Sequence, residues 1–133
     1  MQNGRPPATD RTAFVVAGAL GVTGVALGAF GAHGLKGFLE TAEDGVQRLA
    51  WWNTATQYHV WHALLAGLCA SLLQRFPGLV AGVKWCLVGT LFFSGSLYVM
   101  TLTNLRVLGA ITPIGGVGFM LAWATLIRHT RAS

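Results

Sequence analysis

Tyr58, His59 and His62 lie within five residues of one another in an otherwise apolar stretch, and this spacing is the chain's best opportunity for chemistry. On a helix, Tyr58 and His62 are four apart and His59 and His62 three apart, so each pair shares a face. An imidazole can hydrogen-bond, exchange a proton near neutral pH or ligate a metal. His62 could therefore be a structural hydrogen-bonding group, a proton-handling group, or part of a site for a quinone, a lipid headgroup or haem. A single HxxH supplies too few ligands for zinc or haem, so no metal centre is expected. No nucleophile–base constellation accompanies these residues. No catalytic residue is assigned, and a non-enzymatic role is expected.

The elements that must position these groups follow from composition. Hydrophobic residues make up 53% of the 133-residue chain and charged residues 10%, against roughly 25% charged in ordinary soluble domains. Four long apolar stretches are visible, at about 13–32, 54–73, 79–101 and 107–127. Each has the roughly 20 residues a membrane helix needs. Lipid cannot satisfy backbone hydrogen bonds, and the runs show no period-two alternation, so they are read as helices. The expected fold is an all-α, integral-membrane, antiparallel four-helix bundle. Residues 1–12 form an N-terminal tail, expected to be mobile, and residues 128–133 a C-terminal tail. The run 13–32 could be taken for a signal peptide, but it exceeds a usual signal core and is read as a retained helix.

Between the first two stretches, residues 33–50 carry Glu40, Glu43, Asp44, Lys36 and Arg48. Phe38, Leu39, Ala42, Val46 and Leu49 recur near a helical period there. A short helix lying on the membrane surface would suit this pattern, as would a solvated loop. Lys84, near the start of the third stretch, can snorkel to the headgroups. Cys69 and Cys86 read as buried free thiols.

Antiparallel helices would bring the polar groups to one end. His33 closes the first helix, and Gln57, Tyr58 and His62 open the second. Ser94, Ser96 and Tyr98 approach the end of the third, and Arg106 and Thr112 open the fourth. His62 would then lie on the order of 10 Å inside the hydrocarbon edge, where it needs a partner or a ligand. Ser94, Ser96 and Thr112 are its candidate partners. Arg106 could contact an anion or a headgroup.

Small residues should let the helices approach closely. Gly21, Gly24, Gly28 and Gly31 form one stripe, and Gly82, Gly89 and Ser96 recur at heptad spacing in the third stretch. Gly115 and Gly116 follow Pro113, which is expected to kink the fourth helix and free the carbonyl near Gly109.

Sidedness follows from the bases. Arg5, Arg11, Arg75, Lys84, Arg128 and Arg131 would share one side, and Lys36, Arg48 and Arg106 the other. The positive-inside rule then places both termini in the cytoplasm. The net charge of +5 comes from scattered bases that flank apolar runs. This suits membrane lipid as a partner and not nucleic acid.

The motifs GAFGAHGL (28–35), YHVWHALL (58–65), LFFSGSLY (91–98) and TPIGG (112–116) occur in an order that resembles the bacterial "domain of unknown function 423" family, small membrane proteins related to eukaryotic transmembrane protein 256. The likeness covers residues 13–127. It implies a four-helix protein of the bacterial inner membrane and supplies no activity. Where that family usually has glutamine, this chain has His59, so a shared function would use Tyr58 and His62. Three functional expectations stand. The first is a binding or accessory component of a membrane assembly, as a homo-oligomer or within a larger complex. The second is a site for a quinone, lipid or haem in the polar cluster. The third is an oligomeric transporter or channel, which the absence of acids within the spans disfavours.

Overall fold

The computed structural model describes residues 7–130, so Arg5 and Arg131 of the charge count lie outside the described residues. All regular structure among the described residues is helical. Helix α1 runs over Ala8–Leu39, α2 over Gly45–Ser71, α3 over Pro77–Thr103 and α4 over Thr112–Thr130.

Helix α1 starts within what the sequence suggested was tail. Pro7 stands at its N-cap without a side-chain cap, and Asp10 lies in its first turn, where a negative charge is favourable. The helix continues past the apolar run through a π-helical turn, Gly31–Leu35, into a last α turn, Lys36–Leu39. Residues 33–50 therefore form no separate surface helix. They are divided between the end of α1 and the start of α2, and the turn between them closes at Gly45. A Cβ there would run into the Leu39 carbonyl oxygen, so the turn requires glycine.

Helix α3 begins with the 3-10 turn Pro77–Leu79 and carries a second π turn at Thr90–Ser94. It ends at Asn104, whose left-handed backbone (φ 58°) suits a C-terminal stop. Pro113 does not kink a helix. It stands in the first turn of α4, after the separate 3-10 stretch Arg106–Ala110. At that position its missing N–H breaks no helical hydrogen bond.

Three helical stretches, Ala8–Leu39, Pro77–Thr103 and Arg106–His129, are long and apolar enough to cross a membrane. The segment 54–73, expected to be a fourth, lies in α2 and is not among them. Gln47, Arg48, Asn53, Thr54, Gln57, His59 and His62 lower the apolarity of that helix. Large apolar side chains such as Val15, Val22 and Val25 on α1 are two-thirds exposed or more, as a lipid-facing surface would be.

Packing divides the molecule into two zones. One is an apolar core of mostly small residues, including Ala17, Ala63, Ala66, Cys69, Cys86 and Ala122. The other is built around Trp52, Leu35 and Leu39, with Ala55, Leu97 and Met100 beside them. Glycines set the helix separations. A Cβ on Gly24 would lie 3.0 Å from Val60, on Gly28 3.1 Å from Thr56, and on Gly31 2.5 Å from the Trp52 indole. These three face α2, whereas Gly21 looks onto open space. Gly82, Gly89, Gly115 and Gly118 set the α3–α4 contact; a Cβ on Gly118 would meet the Gly89 backbone at 3.2 Å.

Candidate functional site

Two buried histidines, His59 and His62, stand one and four residues after Tyr58 on α2, among the buried polar side chains that make up a polar zone. Both are 4% exposed. His62 Nδ1 lies 2.7 Å from the Tyr58 carbonyl oxygen, and its Nε2 lies 3.2 Å from Trp123 Nε1. A carbonyl only accepts and an indole N–H only donates. His62 therefore carries its proton on Nδ1 and is neutral, with both nitrogens occupied. Its ring stacks on Phe119 with centroids 3.5 Å apart and an interplanar angle of 14°. Tyr58 and Phe93 extend the aromatic packing, with centroids 4.6 Å apart.

His59 is a bridge between three helices. Its Nε2 lies 3.2 Å from Thr23 Oγ1 on α1, and its Nδ1 lies 3.1 Å from the Tyr98 hydroxyl on α3. Thr23 is also 2.8 Å from the Ala19 carbonyl, and Tyr98 is 3.5 Å from Thr56 Oγ1, which donates to the Trp52 carbonyl. With Nε2 protonated, His59 donates to Thr23, which donates to Ala19, and Tyr98 donates to His59. With Nδ1 protonated, Thr23 donates to His59, His59 to Tyr98, and Tyr98 to Thr56. Either tautomer satisfies every group in this hydrogen-bond chain, so a neutral imidazole is held without a charge between the helices.

The remaining predicted residues separate into places. Ser94 is fully buried and donates to the Ala55 carbonyl at 2.7 Å, joining α3 to α2. Ser96 and Thr112 share a hydrogen bond of 2.7 Å that joins α3 to α4. Neither serine nor Thr112 is a partner of His62. Gln57 and His33 are exposed and stand outside the buried network. The Tyr58 hydroxyl makes no hydrogen bond among the described residues.

Arg106 belongs to a separate cluster at the helix ends. Its guanidinium lies 3.3 Å from Asp44 and 5.7 Å above the Trp51 ring. Asp44 also lies 3.7 Å from Arg48. Arg48 donates to the carbonyls of Thr101 and Leu102 at 2.8 and 3.1 Å, capping the C-terminal end of α3, where carbonyls lack intrahelical partners. Desolvation pushes the Asp44 carboxyl up. Hydrogen bonds from Arg106 and Asn104 and the charge of Arg48 outweigh it and hold the carboxyl below its ordinary range.

The family described as "Protein of unknown function (DUF423)" matches residues 27–116. The chain belongs to this family. The UPF0382 membrane protein YwdK of Bacillus subtilis is 40% identical over 118 residues, covering 86% of this chain and 92% of the relative. The UPF0382 membrane protein SAB0533 of Staphylococcus aureus is 41% identical, with 88% and 93% covered. The UPF0382 inner membrane protein YgdD of Escherichia coli is 36% identical, with 90% and 88% covered. No solved structure matches. The chain is thus a helical membrane protein of a family of unknown function.

The DUF423 match contains most of the polar zone but leaves out Thr23 and Trp123, the partners of the two histidines on α1 and α4. Sequence reasoning missed both. Thr23 carried a signal, since it is the one hydroxyl in the run from Ala13 to Ala32. Trp123 carried none, because a tryptophan in an apolar helix reads as packing. No group of three or more metal-ligating side chains occurs among the described residues.

Proposed function

We propose that this DUF423 protein is a non-enzymatic, multi-pass component of a membrane assembly. Its four helices would form an antiparallel bundle across the inner membrane, with both termini cytoplasmic. One observation carries the reading. The ring nitrogens of His59 and His62 are all occupied by hydrogen bonds within the chain, so neither histidine presents an open position for a substrate, metal or haem. The polar groups of the interior then serve to lock helix to helix, and function is carried by the outer surface.

That surface has an unusual feature on α2. Asn53, Thr54 and Gln57 are exposed on the same helix flank as Trp61, Leu64 and Leu68. Trp52 packs under Gly31, level with the end of the first apolar run. Gln57 stands five residues further along α2, about 7 Å deeper. An amide there is costly against lipid and favourable against a polar side chain of another membrane helix. The partner in this reading is therefore a transmembrane helix carrying amide or hydroxyl groups.

A photoreactive residue at position 57, tested in native membranes, distinguishes the outcomes. A discrete protein adduct, absent when the probe is moved to Val22, supports the assembly reading. Adducts no different from those formed at Val22 overturn it. The amphiphile reading keeps one support, the unpartnered Tyr58 hydroxyl. It would require a quinone to co-purify with the protein and to be lost in Tyr58→Phe.

A further inference from the structure

Between the first two turns of α1 and the start of α3 lies an open groove of about 380 Å³, within the size range of ligand clefts. Val16, Val80 and Leu87 make its apolar length, and Thr9, Thr12 and Lys84 stand along it as well. Lys84 is exposed, seven residues into α3, and forms no ion pair among the described residues. Because it shares the groove with Thr12 and Ala13, its stem is level with the start of the apolar run of α1. Arg11 lines an adjoining hollow with Ala8, Thr12 and Val15, so two cations flank the ridge formed by Ala8 and Thr12. The nearby acid, Asp10, is buried and lines a different hollow with Leu73, Gln74 and Pro77.

A lysine facing lipid at the edge of the hydrocarbon needs an anion at headgroup depth. The groove beside it is apolar and runs inward along both helices. One molecule meets both demands, with a negative phosphate at one end and a hydrocarbon chain at the other. We infer that this groove is a binding site for an anionic glycerophospholipid. The phosphate pairs with Lys84 and, across the ridge of Ala8 and Thr12, with Arg11, and an acyl chain lies against Val16, Val80 and Leu87. The site is separate from the histidine network and from the outer flank of α2, so it stands or falls independently of the assembly reading.

Native mass spectrometry of the full chain in mild detergent tests it, with phosphatidylglycerol and phosphatidylcholine of identical acyl chains as probes. Wild-type protein should retain phosphatidylglycerol preferentially. Lys84→Gln should reduce that preference on the order of fivefold, as expected for one basic residue at an anionic surface. Arg11→Gln should reduce it further. Lys84→Arg should keep it, separating loss of charge from loss of fold. Equal retention of the two lipids by the wild type, or an unchanged preference in Lys84→Gln, overturns the site. A lipid-free dimer as the sole species overturns it too, because a second copy would then occupy the groove.

Discussion

Gly115→Ala should force α3 and α4 apart. A Cβ at Gly115 would lie 2.7 Å from both the Phe92 carbonyl carbon and Phe93 Cα, and closer still to the Phe93 backbone nitrogen. Ordinary contact begins at 3.4 Å, so α3 and α4 must separate by at least about 0.7 Å. The obstructing atoms are backbone and cannot rotate away. Moving the helices apart also strains the Ser96–Thr112 hydrogen bond of 2.7 Å and the Gly118–Gly89 approach. Overpacking of this kind costs about 1–3 kcal/mol. That corresponds to a fall of roughly 3–10 °C in melting temperature for a chain of this size. Gly21→Ala is the matched control. Nothing lies within 4 Å of its Cβ position, and alanine is favoured over glycine in a helix by up to about 1 kcal/mol. Thermal unfolding in one detergent, followed by intrinsic tryptophan fluorescence, compares the two. Equal melting temperatures for Gly115→Ala and Gly21→Ala would refute the claim that backbone contact at Gly115 sets the α3–α4 distance.

Three further positions probe the polar side chains. His59→Gln keeps a donor and an acceptor for Thr23 and Tyr98, whereas His59→Leu removes both bonds and leaves Thr23 to its own helix carbonyls and Tyr98 to Thr56 at 3.5 Å. The leucine variant should be less stable than the glutamine variant by about 1–3 kcal/mol in chemical denaturation, and the reverse order would show that the bridge contributes nothing. Thr90 Oγ1 is buried with no hydrogen-bond partner among the described residues. Thr90→Val should therefore match or exceed wild-type melting, by up to about 1 kcal/mol; a marked loss would mean that the hydroxyl is used. Asp44, with its carboxyl held below its ordinary range, contributes stability that is present above the ordinary carboxylate pKa and is lost as pH falls through the lower folded value. Asp44→Asn should flatten the acid limb of a melting-versus-pH curve, and an unchanged limb would remove Asp44 as its source.

Much of the fold was legible in the sequence because lipid allows few solutions. Apolar runs of membrane length, with no strand-like alternation, leave helices as the reading, and all regular structure among the described residues is helical. Helix ends were less legible. The start of α1 at Ala8 depended on Pro7 and Asp10, residues that also suit a tail. Pro113 looked like a kink because the apolar run begins before it, but the chain forms a 3-10 stretch over Arg106–Ala110 and starts α4 afresh. Of the polar residues, His62, Ser94, Ser96, Tyr98 and Thr112 could be found by their cost in an apolar background. Their pairing could not. By residue type the expected partners of His62 are hydroxyls, whereas the structure supplies a carbonyl of its own helix and the Trp123 indole. Helix rotation decides such pairings, and the π turns at Gly31–Leu35 and Thr90–Ser94 change that rotation without a sequence signal as strong as proline.

The four motifs that carry the family resemblance acquire a common physical meaning. Gly28 and Gly31 admit Thr56 and Trp52. Tyr58 and His62 hold an aromatic stack closed by Phe119. Ser94 bonds the backbone of α2, and Ser96 bonds Thr112 at the start of α4. Gly115 lets α4 touch the backbone of α3. Each motif therefore marks a place where two helices come closest or exchange a hydrogen bond. In lipid, where apolar burial offers little force between helices, such places determine whether a bundle forms. A pattern of this kind identifies the fold of a family with no reference to a substrate. The search for function then moves to residues outside the motifs that face outward, with Gln57 on α2 and Lys84 on α3 first among them.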